Sequence, residues 1–326
     1  MGRLGGVHFT QVNVEKPPLL VIAGPTGVGK TAAAVALGRR VPLEVISADS
    51  RQVYRGMDLA TGKPSAEEQA AVRHHLVDVV DPDDRYHAAR FRADAEHVID
   101  DVRARGRLPV VVGGTGLYIR SLLRGLDPAP PADPEFRHEL AGIAAREGRG
   151  ALHARLATAE PALARRLHPN DEIRVVRALE RLRAGSGVGE ALVRWRDGAS
   201  PWRVVYVGLA LERAALARRL AARAEAMVAA GLCDEVRGLL ARGYDAGLAA
   251  MQGIGYRQFC DVVAGRLSAE DALRLMQRDT VRYAKRQMTW FVREPDVAWL
   301  DVDAAGGVEG VAARIEAMLA KEGVIE

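Results

Sequence analysis

The sequence is poor in lysine: only Lys16, Lys30, Lys63, Lys285 and Lys321 stand among its 46 basic residues, so 41 of those are arginine. It is poor in cysteine as well, with Cys233 and Cys260 set 27 positions apart and in no CxxC spacing. That count argues against a disulfide framework or a structural zinc site and fits a reducing compartment. No apolar run approaches the roughly 20 residues a membrane helix needs. The opening stretch, MGRLGGVHFTQVNVEKPP, carries no apolar segment after its charges. The expectation is therefore a cytoplasmic chain with no membrane attachment. Charge of one sign is also missing, since 46 basic against 42 acidic residues leave +4, a figure that bears on partners and solubility rather than on fold.

What is present is enough apolar residue, 48% of 326, for a large core and a smaller companion domain. PPLLVIAG reads as a buried strand, GKTAAAVALGRR as a helix and LEVISADS as a second strand. RFRADAEHVIDDVRARG has helical spacing, and RLPVVVGG is a strand running into a glycine turn, GGTGLY. Such alternation predicts a parallel sheet with helices on both faces. Pro128, Pro130, Pro131 and Pro134 then break the pattern. From there to about Ser200 the chain has helical spacing without strands. WRVVYVGLAL resumes strand character, a helix follows from about Glu212, and VAWLDV at 297–302 is the last strand. The predicted fold is α/β, a P-loop NTPase-like parallel core of residues 1–127 and 201–326 with an all-helical insert at 128–200.

GPTGVGKT, residues 24–31, matches GxxxxGK[ST] between a strand and a helix. Backbone N–H groups of such a loop point at phosphate oxygens, Lys30 adds charge, and Thr31 is placed to ligand Mg²⁺. The ligand is not named by the loop. A kinase or ATPase adds an apolar strand ending in Asp, whereas RLPVVVGGTG ends in glycines. VISADS does end in an acid, which leaves Asp49 open to metal contact or to general-base work. A kinase using ATP and a non-catalytic RNA-binding P-loop protein are the rival readings. The first is disfavoured by the missing acidic strand and by the arginine-rich second half.

The succession GPTGVGKT, ISADSRQVYRGMDLATGKP, HHLVD, GGTGLY, RALE, MQGIGYRQ and TVRYAKRQMTWF resembles the bacterial tRNA dimethylallyltransferases, or tRNA isopentenyltransferases, across nearly the whole chain. The resemblance implies transfer of a dimethylallyl group from its diphosphate to N6 of adenosine 37, immediately 3′ of the anticodon. Diphosphate is released and no ATP is consumed. It also implies a monomer whose partners are the tRNA anticodon stem-loop, dimethylallyl diphosphate and Mg²⁺, with 128–200 as the tRNA-binding part.

The resemblance carries roles with it. Gly24, Pro25, Thr26, Gly27, Val28, Gly29, Lys30 and Thr31 hold the donor diphosphate together with Arg219 and Arg223, four apart on one helix. Asp49 is the base that takes the proton from the adenine amine, and Lys30, Thr31 and Arg219 serve the leaving group. Asp49, Ser50, Arg51, Gln52, Thr115, Arg137, Ile173, Arg174, Val175, Val176, Arg177, Gln252, Gly253, Ile254, Gly255, Tyr256 and Arg257 are the positions expected to meet tRNA. Independently of any family, Arg274, Arg278, Arg282 and Arg286 recur every four residues and form a candidate track for a phosphate backbone. Tyr283, Trp290 and Phe291 beside them are expected in the core.

Overall fold

The computed structural model describes residues 16–126, 132–148, 150–185 and 199–326. The chain divides into two compact units, one of residues up to Leu123 together with Ser200–Glu326, the other Arg124–Ala199. The N-terminal reading at 1–15 and the prolines 128, 130 and 131 lie outside the described residues.

The first unit is built on one sheet whose strands are β1 (Pro18–Ala23), β2 (Leu43–Ser47), β3 (His74–His75), β4 (Leu108–Gly113), β5 (Arg203–Ala210) and β6 (Ala298–Asp301). Their order is β3-β2-β4-β1-β5-β6, and every neighbouring pair is parallel. β3 was not foreseen, because two residues carry no periodicity. The helices are α1 (Lys30–Gly38), α2 (Ala66–Ala71), α3 (Ala88–Ala104) and α4 (Gly116–Arg124), then, after the second unit, α9 (Arg213–Ala229), α10 (Leu232–Ala241), α11 (Tyr256–Val263), α12 (Ala269–Phe291) and α13 (Gly307–Lys321).

Alternation along β1 decides how the layers form. Leu20 and Ile22 join Ala33, Leu37, Ile315 and Leu319 on one face, so α1 and α13 lie there. Leu19 and Val21 join Phe91, Ile99, Ile119 and Phe291 on the other, beneath α3, α4 and the end of α12. Each such aliphatic side chain contributes on the order of 2 kcal/mol by leaving water. Truncating fully buried Leu20 to Ala would cost about 2–5 kcal/mol. Glu44 lies on β2, between β3 and β4. It is buried, and its carboxylate takes hydrogen bonds from Arg105 and from the His75 ring.

The consequence for function is geometric. The carboxyl ends of β1, β2 and β4 run into Gly24, Asp49 and Gly114 respectively, the side on which open parallel sheets place their ligands.

The second unit contains, among its described residues, α5 (Pro134–Glu147), α6 (Gly150–Ala159), α7 (Pro161–Ala164) and α8 (Glu172–Arg183). Leu140, Ile143, Leu152, Leu156, Leu163, Val175 and Leu179 form its core. Pro134 does not interrupt an element here. It opens α5 behind an Asp133 N-cap, where a missing N–H costs nothing. Glu180 is buried in the same unit and accepts from Arg137 at 2.6 and 2.9 Å, from Arg177 at 2.9 Å and from the Asp133 N–H at 3.0 Å. Burial alone would raise its pKa, but the bonds from Arg137 and Arg177 outweigh that and hold it at about 2.

Candidate active site: a phosphate loop and an acidic turn on one cavity

Residues 24–29 leave β1 through a tight loop. Gly24 has φ +146° and Gly27 φ +76°, regions that L side chains rarely adopt. A Cβ on Gly24 would also stand 2.6 Å from the Leu209 carbonyl oxygen. Gly29, the N-cap of α1, offers no side chain to cap the first turn, and that turn carries no acid. A helix start of this kind presents its N–H groups and positive dipole end to an anion.

The Lys30 ammonium donates to the carbonyls of Gly24 at 3.0 Å and Pro25 at 2.8 Å. Burial lowers its pKa to about 8; Asp49 opposes the shift and Arg223 adds to it. Arg219, on α9, donates to the Val28 carbonyl at 3.4 Å, and Arg223, one turn on, reaches the Gly62 carbonyl at 3.5 Å. Four-residue spacing alone does not distinguish these two arginines from a solvated face; the packing of α9 brings Arg219 to the loop and Arg223 to the cavity beside it.

The acidic turn follows β2. Asp49 Oδ1 accepts from the Arg51 N–H at 2.8 Å, and the Ser50 N–H donates to Thr115 Oγ1 at 3.0 Å, so the turns after β2 and β4 are fastened together. The Asp49 charge acts on Lys30, Arg223 and Tyr283 alike. Burial, with Asp49 beside it, pushes the Tyr283 hydroxyl up to about 12.

Loop and turn open on one cavity of about 280 Å³. Thr26, Asp49, Ser50, Arg51, Arg223, Gln252, Arg257, Tyr283 and Arg286 line its polar part, and Leu220, Ala224, Met227, Ile254 and Met276 its apolar part. The apolar residues of α9 come at i, i+4 and i+7, one helix face, a signal the sequence does contain but that core helices share. Among the described residues no cluster of three or more His, Cys, Asp or Glu could hold a metal ion. None of the described helices is long and apolar enough to cross a membrane.

Several positions behave differently from their sequence reading. Tyr283 lines the cavity instead of the core, because α12 turns it toward Asp49 and Thr115. Phe291 is core and Trp290 is partly buried against Gly116. The Gln52 amide is engaged within the protein, accepting from Ser47 Oγ at 2.8 Å and donating to the Gly62 carbonyl at 3.0 Å. Arg51 donates to the Ala249 carbonyl at 2.6 Å and so anchors the segment leading to Gln252. In that segment Tyr256 is fully buried with its hydroxyl on Glu235, and Gly255 has φ +93° under Ala60. Both shape the wall from behind, whereas Gln252, Ile254 and Arg257 face the cavity. Gly253 caps a turn through its N–H to the Ala250 carbonyl.

On α8 the side chain of Val175 is buried and that of Val176 partly so, because the helix needs an apolar face. Ile173, 84% exposed, and Arg174 stand outside. The α12 stripe is also less free than its spacing suggests. Arg274 pairs with Glu270 and Asp271, and Arg278 and Arg282 with Asp279. Arg286 instead lies over the Tyr283 ring at 5.7 Å.

The IPP transferase family model matches residues 52–294, and a model of isopentenyl transferases matches 17–83. The chain belongs to the IPP transferase family. Its relatives include a tRNA dimethylallyltransferase of Syntrophotalea carbinolica, 48% identical over 290 residues, which spans 89% of this chain and 92% of that protein. The tRNA dimethylallyltransferase of Geobacter metallireducens is 47% identical, spanning 88% and 93%. Among solved IPP transferases, the tRNA isopentenylpyrophosphate transferase of Bacillus halodurans matches with TM-score 0.70 at 38% identity, over 95% of this chain and 98% of that one. A eukaryotic dimethylallyltransferase, whose crystallographic snapshots show it acting on tRNA, matches with TM-score 0.74 at 27% identity, over 87% and 74%. The α/β core with its phosphate loop is thus a family architecture.

Proposed function

We propose that this chain transfers a dimethylallyl group from dimethylallyl diphosphate to N6 of adenosine 37 of tRNA and releases diphosphate. The observation that carries the reading is a cavity on which Thr26 of the phosphate loop, Asp49 and an apolar wall meet. A nucleoside triphosphate needs no apolar partner for its phosphates, whereas a five-carbon allyl tail does. The turn after β4 ends in glycines, where a kinase or ATPase would set a metal-binding acid.

In the reaction the allylic C–O bond of the donor breaks and an N6–C bond forms. Negative charge grows on the departing diphosphate, and Lys30, the amides at the start of α1, Arg219 and Arg223 meet it. Asp49 accepts the N6 proton as the nitrogen becomes bonded to carbon. The Thr31 hydroxyl of the loop and the Asp49 carboxylate of the turn after β2 are oxygen donors of the hard type that Mg²⁺ takes, so Thr31 would hold the ion. When bound, the ion supplies further neutralisation of the leaving group.

The acceptor is an unstacked loop base, which requires contacts to its neighbours. Ser50, Thr115, Gln252, Ile254 and Arg257 serve the target nucleotide, and the helical insert at 128–200, through Ile173 and Arg174, serves the anticodon stem. A monomer acting in the cytoplasm suffices for this chemistry. The test is transfer of labelled dimethylallyl from its diphosphate to unmodified tRNA, followed by nucleoside analysis. N6-dimethylallyladenosine is the expected product; tRNA-dependent ATP hydrolysis without prenylation would replace the reading with a kinase or ATPase.

A further inference from the structure

A buried primary amide is costly unless both of its ends are bonded. Gln287, on α12, is 6% exposed. The Thr26 N–H donates to its Oε1 at 2.9 Å, and its Nε2 donates to the Gly114 carbonyl at 2.8 Å. Rotating the amide by half a turn would set donor against donor and acceptor against acceptor, so these partners fix its orientation. The fit leaves no slack, since a Cβ on Gly114 would stand 2.2 Å from Nε2.

The two partners belong to different halves of the site. Thr26 is part of the phosphate loop. Gly114 precedes Thr115, whose hydroxyl holds the Ser50 N–H and with it the turn of Asp49. Neighbouring residues of α12 flank the same turn: the Tyr283 hydroxyl lies beside the Thr115 side chain, and Trp290 packs on Gly116.

We propose that Gln287 is a positioning residue for the transfer, a clamp that fixes the donor's phosphate loop relative to the turn that orders Thr115 and Asp49. The inference rests on the reading of this cavity as the site of prenyl transfer. A displacement of about 1 Å between reacting groups is enough to cost on the order of 10²-fold in rate, which makes a rigid link between the two halves worth building. A glutamine that only completed the core would affect stability and leave ligand affinity alone.

The experiment compares Gln287→Leu, Gln287→Glu, Gly114→Ala and the Gly114→Ala/Gln287→Leu double variant of the full chain. Titration with inorganic diphosphate, steady-state kinetics with donor and tRNA, tRNA affinity and melting temperature are measured. Gln287→Leu should bind diphosphate about 10-fold more weakly, from two lost hydrogen bonds, and lose on the order of 10²-fold in kcat. tRNA affinity should stay within about twofold. Gln287→Glu keeps an acceptor for Thr26 and should bind diphosphate better than Gln287→Leu. Gly114→Ala should reproduce Gln287→Leu, and the double variant should be no worse than either single one. Unchanged diphosphate affinity in a folded Gln287→Leu, or multiplying losses in the double variant, would overturn the proposal. Should Gln287→Leu fail to fold, Gln287→Glu with wild-type diphosphate affinity and kcat overturns it equally. If the wild type makes no prenylated tRNA, the functional reading fails, while the diphosphate titration still decides on the clamp.

Discussion

The Ser50 N–H donates to the Thr115 hydroxyl oxygen at 3.0 Å, joining the turn after β2 to the turn after β4. Thr115→Val keeps the shape but removes the acceptor, so Asp49 loses one of the bonds that hold its turn. We expect kcat to fall by roughly 10-fold with a stability loss of about 1–2 kcal/mol, and Thr115→Ser to recover both. Steady-state kinetics and denaturant melts check this; full activity in Thr115→Val would make the bond incidental.

Lys30 predicts a pH dependence of donor binding. Its pKa is lowered by burial to about 8 in the free protein, and the charged form is the one that attracts diphosphate. The part of the affinity that Lys30 supplies, read as the ratio of wild type to Lys30→Ala so that the ionisations of diphosphate itself cancel, should therefore be greatest below pH 8 and be lost as pH rises through 8. Lys30→Ala should bind diphosphate poorly at every pH and lose that inflection. Calorimetric titrations of inorganic diphosphate between pH 6.5 and 9.5 give the curve.

The arginine stripe of α12 splits into two groups. Arg274, Arg278 and Arg282 are paired with acids, so neutralising Arg274 should leave the salt dependence of tRNA binding nearly unchanged. Arg286 lines the cavity over Tyr283, and Arg286→Ala should lower the slope of log K against log salt by about 1. Equal slopes for both variants would return all four residues to a solvated face.

Far from the cavity, Glu44 should set the acid limit of the fold. Burial alone would raise its pKa, but hydrogen bonds from Arg105 and His75 hold it at about 2. A depressed carboxylate contributes stability that is complete above about pH 4.5 and is lost as pH falls from there toward 2. Glu44→Gln should cost on the order of 3 kcal/mol at pH 7, and its stability should change less than the wild type's across that acid range. Urea melts at pH 7, 4.5 and 3 measure both effects.

The parallel core was legible because its strands are short apolar runs between glycine turns, and the loop because Gly-rich spacing around Lys30 has few other uses. The five longer strands lie where periodicity places them; β3, two residues long, leaves no periodic trace. Individual side chains were less legible, since sequence spacing does not say which partner a polar group will meet. Gln52 lies in a motif that faces the site yet bonds to Ser47 and Gly62, and Tyr256 sits in another yet is buried on Glu235. Tyr283 and Gln287 showed the reverse. Both look like ordinary members of a long helix, and only the docking of α12 against the two glycine turns gives them their contacts with Thr115, Thr26 and Gly114.

The most direct test of the whole account is Asp49→Asn. The substitution preserves size and an oxygen for the Arg51 N–H but removes basicity. Affinities for tRNA and for inorganic diphosphate should survive, while kcat for dimethylallyl transfer falls on the order of 10² to 10⁴-fold. A rate restored by raising Mg²⁺, or a kcat equal to the wild type's, would contradict the assignment of Asp49 as the base.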